Sequence, residues 1–174
     1  MMRIAQIAPL AERVPPVLYG GTERVVSVLT EELVRRGHDV TLFASGDSQT
    51  SAKLVPCARR GLRLDPAVKD TVAPTLIQLS EVYRRADEFD VIHNHVDYFA
   101  FPFARLSSTP TVTTTHGRLD LAEVRQVYDQ FREQGMVSIS NDQASHLPHA
   151  NWIANVYNAI DLSNFQLRSE PGSY

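Results

Sequence analysis

Asp90-Val91-Ile92-His93-Asn94-His95 joins a short apolar run directly to polar residues. This pattern is typical of a buried strand that ends at a polar edge of a sheet. Strands that are buried on both faces occur mainly in parallel sheets covered by helices. We therefore expect the segments on either side to alternate between strand and helix.

The rest of the chain fits this expectation. Apolar alternation or β-branched runs predict further strands at 3–8, 38–44, 53–58, 111–115, 136–140 and 152–157. Apolar residues at helical spacing predict helices at 22–36, 70–86, 97–106, 121–132 and 141–146. The sequence thus predicts a Rossmann-like, doubly wound α/β layer, with a mainly parallel sheet and helices on both faces.

Composition limits the class of protein. The 174 residues carry a formal net charge of −3, with 43% hydrophobic and 21% charged residues, as in one globular domain. The mild acidity argues against nucleic acid as the main partner, and the single cysteine, Cys57, excludes an internal disulfide framework. We expect neither a secretory signal nor a membrane span, which needs about 18 apolar residues, and hence a cytoplasmic protein.

Polar residues gather at the carboxyl ends of the predicted strands, where such sheets bind ligands. Gly20-Gly21-Thr22-Glu23 opens the first helix, with Thr22 as the expected N-cap. The glycine pair lets backbone amides approach a phosphate or pyrophosphate, which the helix N-terminus favours. A plain turn is the other interpretation, because no dinucleotide-binding glycine fingerprint is present. Glu23 suits either the helix dipole or a sugar hydroxyl.

Histidines mark the ends of two strands. His93 and His95 are two residues apart on one strand, so both point to the same face, and His116 ends the next strand. Three imidazoles allow a metal site, but Asp97 is the one carboxylate at ligand spacing. We favour a polar-substrate site without metal, in which His116 donates a hydrogen bond, over structural roles. Ser140 is expected at the same edge.

Six segments, in the same order, resemble the amino-terminal domain of the family 4 retaining glycosyltransferases, which have the two-domain GT-B fold. The segments are 19–26, 36–43, 90–95, 113–117, 137–143 and 156–161. The likeness extends from Met2 to about Phe165. Ala159 departs from the family pattern, which has glycine at that position.

The resemblance implies transfer of a sugar from a nucleotide-sugar to an acceptor, with retention of the anomeric configuration and without a bound metal or other cofactor. Residues 1–165 would form the acceptor-side domain and 166–174 the start of the linker to an absent second domain. The implied site residues are Gly20, Gly21 and Thr22 for the donor phosphates, His116 for the reacting sugar, and Glu23, His93, His95 and Ser140 for the acceptor or sugar pocket.

Without the second domain we expect a half-enzyme that is open to self-association through exposed apolar surface. We also expect it to be inactive alone, because transfer needs donor and acceptor positioned between two domains. Two other functions stay open. One is half of a nucleotide-sugar 2-epimerase, in which carboxylates and histidines would act as acid and base. The other is a stand-alone binding or assembly domain without catalysis.

Overall fold

The computed structural model describes residues 1–159 and residue 161. The predicted domain boundary after residue 165 and the predicted linker over 166–174 lie outside these residues, as does Ile160 in the last family-like segment. No helix in the described part of the chain is long and apolar enough to cross a membrane.

In the described part of the chain, seven strands form one sheet, and every strand pairing in it is parallel. The strands are β1 (Arg3–Ile7), β2 (Asp39–Ser45), β3 (Lys53–Ala58), β4 (Val91–Asn94), β5 (Thr111–Thr114), β6 (Gly135–Ser138) and β7 (Trp152–Asn155). Their order in the sheet is β3-β2-β1-β4-β5-β6-β7. The predicted parallel sheet is confirmed.

Within residues 1–159, five α-helices connect the strands. They are α1 (Gly21–Arg35), α2 (Val72–Arg84), α3 (Phe101–Ala104), α4 (Ala122–Gln130) and α5 (Asn141–Ser145). Short 3-10 turns occur at Leu62–Leu64, Ala86–Glu88 and Asp97–Ala100. The helix predicted over 97–106 is therefore divided between a 3-10 turn and the short α3.

Neighbouring residues of β2 show that helices cover both faces of the sheet. Leu42 packs in a cluster with Val26 of α1, whereas Phe43, the next residue, packs in a cluster with Leu79 of α2. Because side chains alternate across a strand, α1 and α2 lie on opposite faces. We call these the α1 face and the α2 face. The predicted doubly wound arrangement is confirmed.

The α1 face is incompletely filled. A cavity of about 390 Å³ lies there, lined by Val25 and Leu29 of α1 together with His93 and Thr114 of the sheet. The apolar stripe of α1 is therefore divided, since Val26 is fully buried while Val25 and Leu29 border the cavity. We call this space the α1-face cavity.

The start of α1 differs from the prediction. Gly21 is the first helical residue, and Gly20 rather than Thr22 occupies the N-cap position, without a side-chain cap. The Gly20 carbonyl already accepts the Arg24 amide at 3.1 Å. The predicted Thr22 cap is wrong because helical hydrogen bonding begins at the glycine pair itself.

Candidate functional site

The order of the strands creates a crevice at one edge of the sheet. β1 pairs with β2 on one side and with β4 on the other. The strands that follow β1 are added first on the β2 side and then on the β4 side, so the strand order reverses at β1. The carboxyl ends of β1 and β4 therefore flank the position where doubly wound sheets bind ligands. His95 follows β4 directly, and its amide still donates to the Ile7 carbonyl at 3.1 Å.

Two adjoining hollows of about 340 and 420 Å³ open at this crevice. We call them together the cleft. The smaller hollow contains His95 and Asp97, and the larger contains Gly20, Gly21 and Glu23. Thr22 and His116 line both hollows, so His116 lies where the two meet.

The two glycines at the start of α1 differ in their surroundings. A Cβ on Gly20 would lie 2.7 Å from the Cβ of Pro16, so the close approach of this loop requires glycine there. A Cβ on Gly21 would meet nothing within 4 Å. Within the described residues, the amides of Gly21 and Thr22 donate to no acceptor. These amides are free helix N-terminal donors, which favour an anion.

Glu23 is buried and engaged within the chain. Its Oε1 accepts the Glu12 amide at 3.2 Å, and the Glu12 carboxylate pairs with Arg63 at 3.1 Å. Burial raises the pKa of Glu23. Glu23 thus anchors the loop between β1 and α1, and its contact with a sugar hydroxyl stays a prediction.

A buried carboxylate holds the backbone at His116. Asp97 Oδ1 accepts the amide of His116 at 2.9 Å and that of Gly117 at 3.5 Å. A Cβ on Gly117 would lie 2.9 Å from Asp97 Oδ2, so glycine is needed for this close approach. Burial raises the pKa of Asp97. The sequence marked Asp97 only as a possible metal ligand, whereas the structure makes it a partner of the His116 turn.

The backbone of Asp97 is strained. Its φ of 48° lies in the left-handed region, which is uncommon for residues other than glycine. Asn94, which is buried, holds this turn: its Nδ2 donates to the Asp97 carbonyl at 2.7 Å, and its Oδ1 accepts the Val96 amide at 3.0 Å. Strain of this kind is concentrated at functional sites, and here it places the carboxylate beside the turn after β5.

The rings of the three predicted histidines lie in a row, each tilted by 30–35° against the next. The ring centroids of His93 and His95 are 4.2 Å apart, and those of His95 and His116 are 5.3 Å apart. The prediction that His93 and His95 share a face is confirmed. Burial lowers the pKa of His93 and of His116 to about 4, and that of His95 well below 6.5. At neutral pH each ring is therefore uncharged, with one donor and one acceptor nitrogen.

The family profile of Glycosyltransferase Family 4 matches residues 19–164, which include α1, the three histidines and β7. The chain belongs to glycosyltransferase family 4. The resemblance inferred from the six sequence segments is thereby confirmed. No curated protein matches the sequence.

Solved glycosyltransferase structures share the fold of this family 4 domain. AviGT4, a glycosyltransferase involved in avilamycin A biosynthesis, is 17% identical, with a TM-score of 0.60 over 95% of this chain and 44% of its own. MurG of Acinetobacter baumannii is 12% identical, with a TM-score of 0.55 over 91% of this chain and 46% of its own. Sucrose-phosphate synthase of Thermosynechococcus elongatus is 14% identical, with a TM-score of 0.62 over 90% and 47%.

This family 4 domain spans less than half the length of each of these proteins. At such low identities the likeness establishes the fold alone. That fold is the Rossmann-like α/β half of a GT-B glycosyltransferase, as the sequence predicted.

Not every predicted site residue of the family 4 domain lines the cleft. His95 and His116 do, but His93 lines the α1-face cavity, where its Nε2 lies 2.8 Å from Thr114 Oγ1. Ser140 caps α5, and its Oγ accepts the Gln143 amide at 3.0 Å. No group of three or more His, Cys, Asp or Glu suited to a metal ion is found among residues 1–159 and 161.

Gln143 is a residue of the site that sequence reasoning missed. Its Nε2 donates to the carbonyls of Thr115 at 3.1 Å and Gly117 at 3.3 Å, which fastens α5 to the turn that carries His116. Its Oε1 accepts the Ile139 amide at 3.0 Å. The one local signal, a glutamine three residues after the Ser140 cap, does not reveal these contacts with the adjacent strand.

Proposed function

We propose that this family 4 domain is the acceptor-binding half of a retaining glycosyltransferase that uses a nucleotide-sugar and no metal or other cofactor. The observation that carries the proposal is the position of His116 at the junction of the two hollows. Free amides at the start of α1 border one hollow, and the Asp97 carboxylate borders the other. A sugar bound at His116 would thus have a phosphate site on one side and an acceptor site on the other.

Charge favours the larger hollow as the site of the donor phosphates. The free amides of Gly21 and Thr22 lie at the positive end of the α1 dipole, which favours phosphate oxygens. Arg63 lines the same hollow, where its guanidinium lies 3.1 Å from the Glu12 carboxylate. His116 is neutral and therefore suits a sugar hydroxyl better than a phosphate.

The residues that line the smaller hollow favour it as the acceptor site. Thr22, Thr71, Thr75 and Asp97 border it and supply hydroxyl and carboxylate oxygens. Such groups accept hydrogen bonds from the hydroxyls of a carbohydrate or similar small molecule. We therefore assign this hollow to the acceptor.

Transfer by this domain would need a second one. Donor and acceptor must be held together for the reaction, and the solved glycosyltransferases are about twice as long as this chain. We infer that residues 1–165 act as the acceptor-side domain in the cytoplasm, with a linker from 166, and that they are inactive alone. Product formation by the purified chain, followed by mass spectrometry with a panel of nucleotide-sugars and acceptors, would contradict this inference.

A nucleotide-sugar 2-epimerase is the second candidate, and the proximity of Asp97 to His116 favours it. Asp97 accepts the His116 backbone amide at 2.9 Å and lines the smaller hollow together with that histidine, and a carboxyl group whose pKa burial raises is suited to proton transfer. Epimerisation at C2 exchanges the hydrogen at that carbon with solvent. Proton NMR of a nucleotide-sugar incubated in D2O therefore separates the two functions, because a transferase leaves that hydrogen in place.

Donor binding tests the proposal directly. Isothermal titration of the chain with UDP-glucose and GDP-mannose compares the wild type with Gly21→Ala and with His149→Gln, a control at an exposed histidine outside the cleft. We expect His149→Gln to bind like the wild type. Gly21→Ala should weaken binding of the preferred nucleotide-sugar about tenfold, which corresponds to about 1.4 kcal/mol, because the new methyl group projects into the cleft. Equal affinity of Gly21→Ala and the wild type would contradict the assignment of the donor phosphates to the start of α1.

A further inference from the structure

A line of hydrogen-bonded side chains runs from the α1-face cavity to the cleft. It begins at Thr114, whose Oγ1 lies 2.8 Å from His93 Nε2, and ends at His116, whose Nε2 lies 3.0 Å from His95 Nδ1. Gln6 of β1 joins the two halves. Its Oε1 lies 3.0 Å from His95 Nε2, and its Nε2 lies 3.5 Å from His93 Nδ1. We call these five residues the polar line.

The amide group of Gln6 determines which ring nitrogens of His95 and His116 carry a proton. An amide oxygen only accepts, so His95 Nε2 carries the proton that Gln6 Oε1 receives. His95 is neutral, hence its Nδ1 is unprotonated and accepts from His116. The proton of His116 is therefore on Nε2, and its Nδ1 is an acceptor.

Burial prevents water from replacing the contacts of Gln6 and His95. Gln6 is fully buried and His95 is 2% exposed, so each polar atom depends on its neighbours in the polar line. The second ring nitrogen of His116, Nδ1, has no hydrogen-bond partner among the described residues, and His116 lines both hollows of the cleft.

We propose that Gln6 is a positioning residue which, through His95, fixes the tautomer of His116 so that Nδ1 presents an unprotonated acceptor in the cleft. This proposal rests on the proposed function and deepens it. His116 then accepts a hydrogen bond from a hydroxyl of the bound sugar, whereas the sequence suggested that it donates one. A ligand group that only accepts hydrogen bonds is disfavoured at this nitrogen.

The tautomers can be measured on the chain without any ligand. Long-range proton–nitrogen NMR of the protein labelled with 15N-histidine distinguishes protonated from unprotonated ring nitrogens. For the wild type we expect a pyrrole-like Nε2 and a pyridine-like Nδ1 at His116, and the same pattern at His95. A protonated Nδ1 at His116 would overturn the proposal, and this result needs no variant.

Two variants test whether Gln6 or the Thr114 end of the polar line determines the tautomer of His116. Gln6→Met has a side chain of similar length without hydrogen-bonding groups, so the two nitrogen shifts of His116 should move towards each other as both tautomers become populated. Thr114→Val removes the far end of the polar line but retains Gln6, so the His116 shifts should not change. Unchanged His116 shifts in Gln6→Met, or equal changes in both variants, would overturn the proposal. Because no nucleotide-sugar is added, failure here is separate from failure of the proposed function.

Discussion

The two faces of the sheet are filled by different chemistry, although the same strands supply both. On the α2 face, Phe43 and Ile92 are fully buried in an apolar cluster with Leu79 of α2. On the α1 face, Gln6 and His93 are joined to each other and to the cleft by the polar line. The α1 face has an apolar cluster too, which contains Leu42 and Val26. Both faces therefore stabilise the domain by apolar burial, and the α1 face in addition carries the hydrogen-bonding groups that lead to the site.

The polar line on the α1 face shows how a small domain combines an apolar core with a polar site. Buried polar groups are tolerated where each has a partner, and a network of this kind specifies one arrangement. The same network makes the α1 face sensitive to any change that adds charge or removes one partner.

The largest expected effect is a loss of folding stability at acidic pH, caused by protonation of histidines on the α1 face. The unfolded chain takes up protons on His93 and His116 below about pH 6.5, whereas the folded rings do so only near a pKa of about 4. The unfolded state thus binds more protons between these values, so stability falls as the pH is lowered. Between pH 7 and pH 5 the loss should be about 2 kcal/mol for each of these two rings, as measured by urea unfolding.

Two variants separate this effect from the titration of surface groups. His116→Gln cannot take up the proton, so its loss of stability between pH 7 and pH 5 should be about 2 kcal/mol smaller than that of the wild type. His149→Gln, at an exposed position, should keep the wild-type dependence. The same pH dependence in all three proteins would show that the buried rings do not control acid stability.

Matched leucine substitutions compare the two helices. Leu79→Ala opens a hole in the α2-face core, where Leu79 is fully buried, and should cost about 3 kcal/mol. Leu29→Ala only enlarges the α1-face cavity and should cost less than about 1 kcal/mol. Chemical denaturation of both variants measures the difference. Equal losses would mean that the two faces contribute alike to stability.

The glycine pair gives a smaller contrast at the start of α1. Gly20→Ala brings a methyl group against Pro16 and should destabilise the domain by about 2 kcal/mol. Gly21→Ala has free space and should change stability by less than about 1 kcal/mol. Thermal unfolding of the two variants checks both values. If Gly20→Ala is as stable as Gly21→Ala, the loop does not depend on this close approach.

The strand pattern could be predicted because apolar alternation is local. Segments such as Arg3–Ile7 and Val91–Asn94 have the short apolar runs of buried strands, and all seven strands were found from such runs. The start of α1 was misplaced because Thr22 is a good N-cap residue by type. Helical hydrogen bonding begins at the Gly20 carbonyl, where Pro16 approaches so closely that glycine is required, and a sequence does not show this contact.

The site could be predicted only in part. The sequence pointed to the edge of the sheet, and the structure brings Gly21, His95 and His116 together there. It could not assign Gln6 or Gln143, because their partners lie on other strands. Gln6 and His95, for example, are separated by 89 positions and meet only once β1 and β4 pair.

We propose that a nucleotide-sugar binds in the cleft with its phosphates at the start of α1 and its sugar at His116. Titration of the 15N-labelled chain with UDP-glucose and GDP-mannose, followed by proton–nitrogen correlation NMR, tests it directly. We expect a nucleotide-sugar that binds to shift the amide signals of Gly21, Thr22 and His116 and to leave those of Val25 and Leu29 in place. Shifts confined to the α1-face cavity, or none with either nucleotide-sugar, would contradict it.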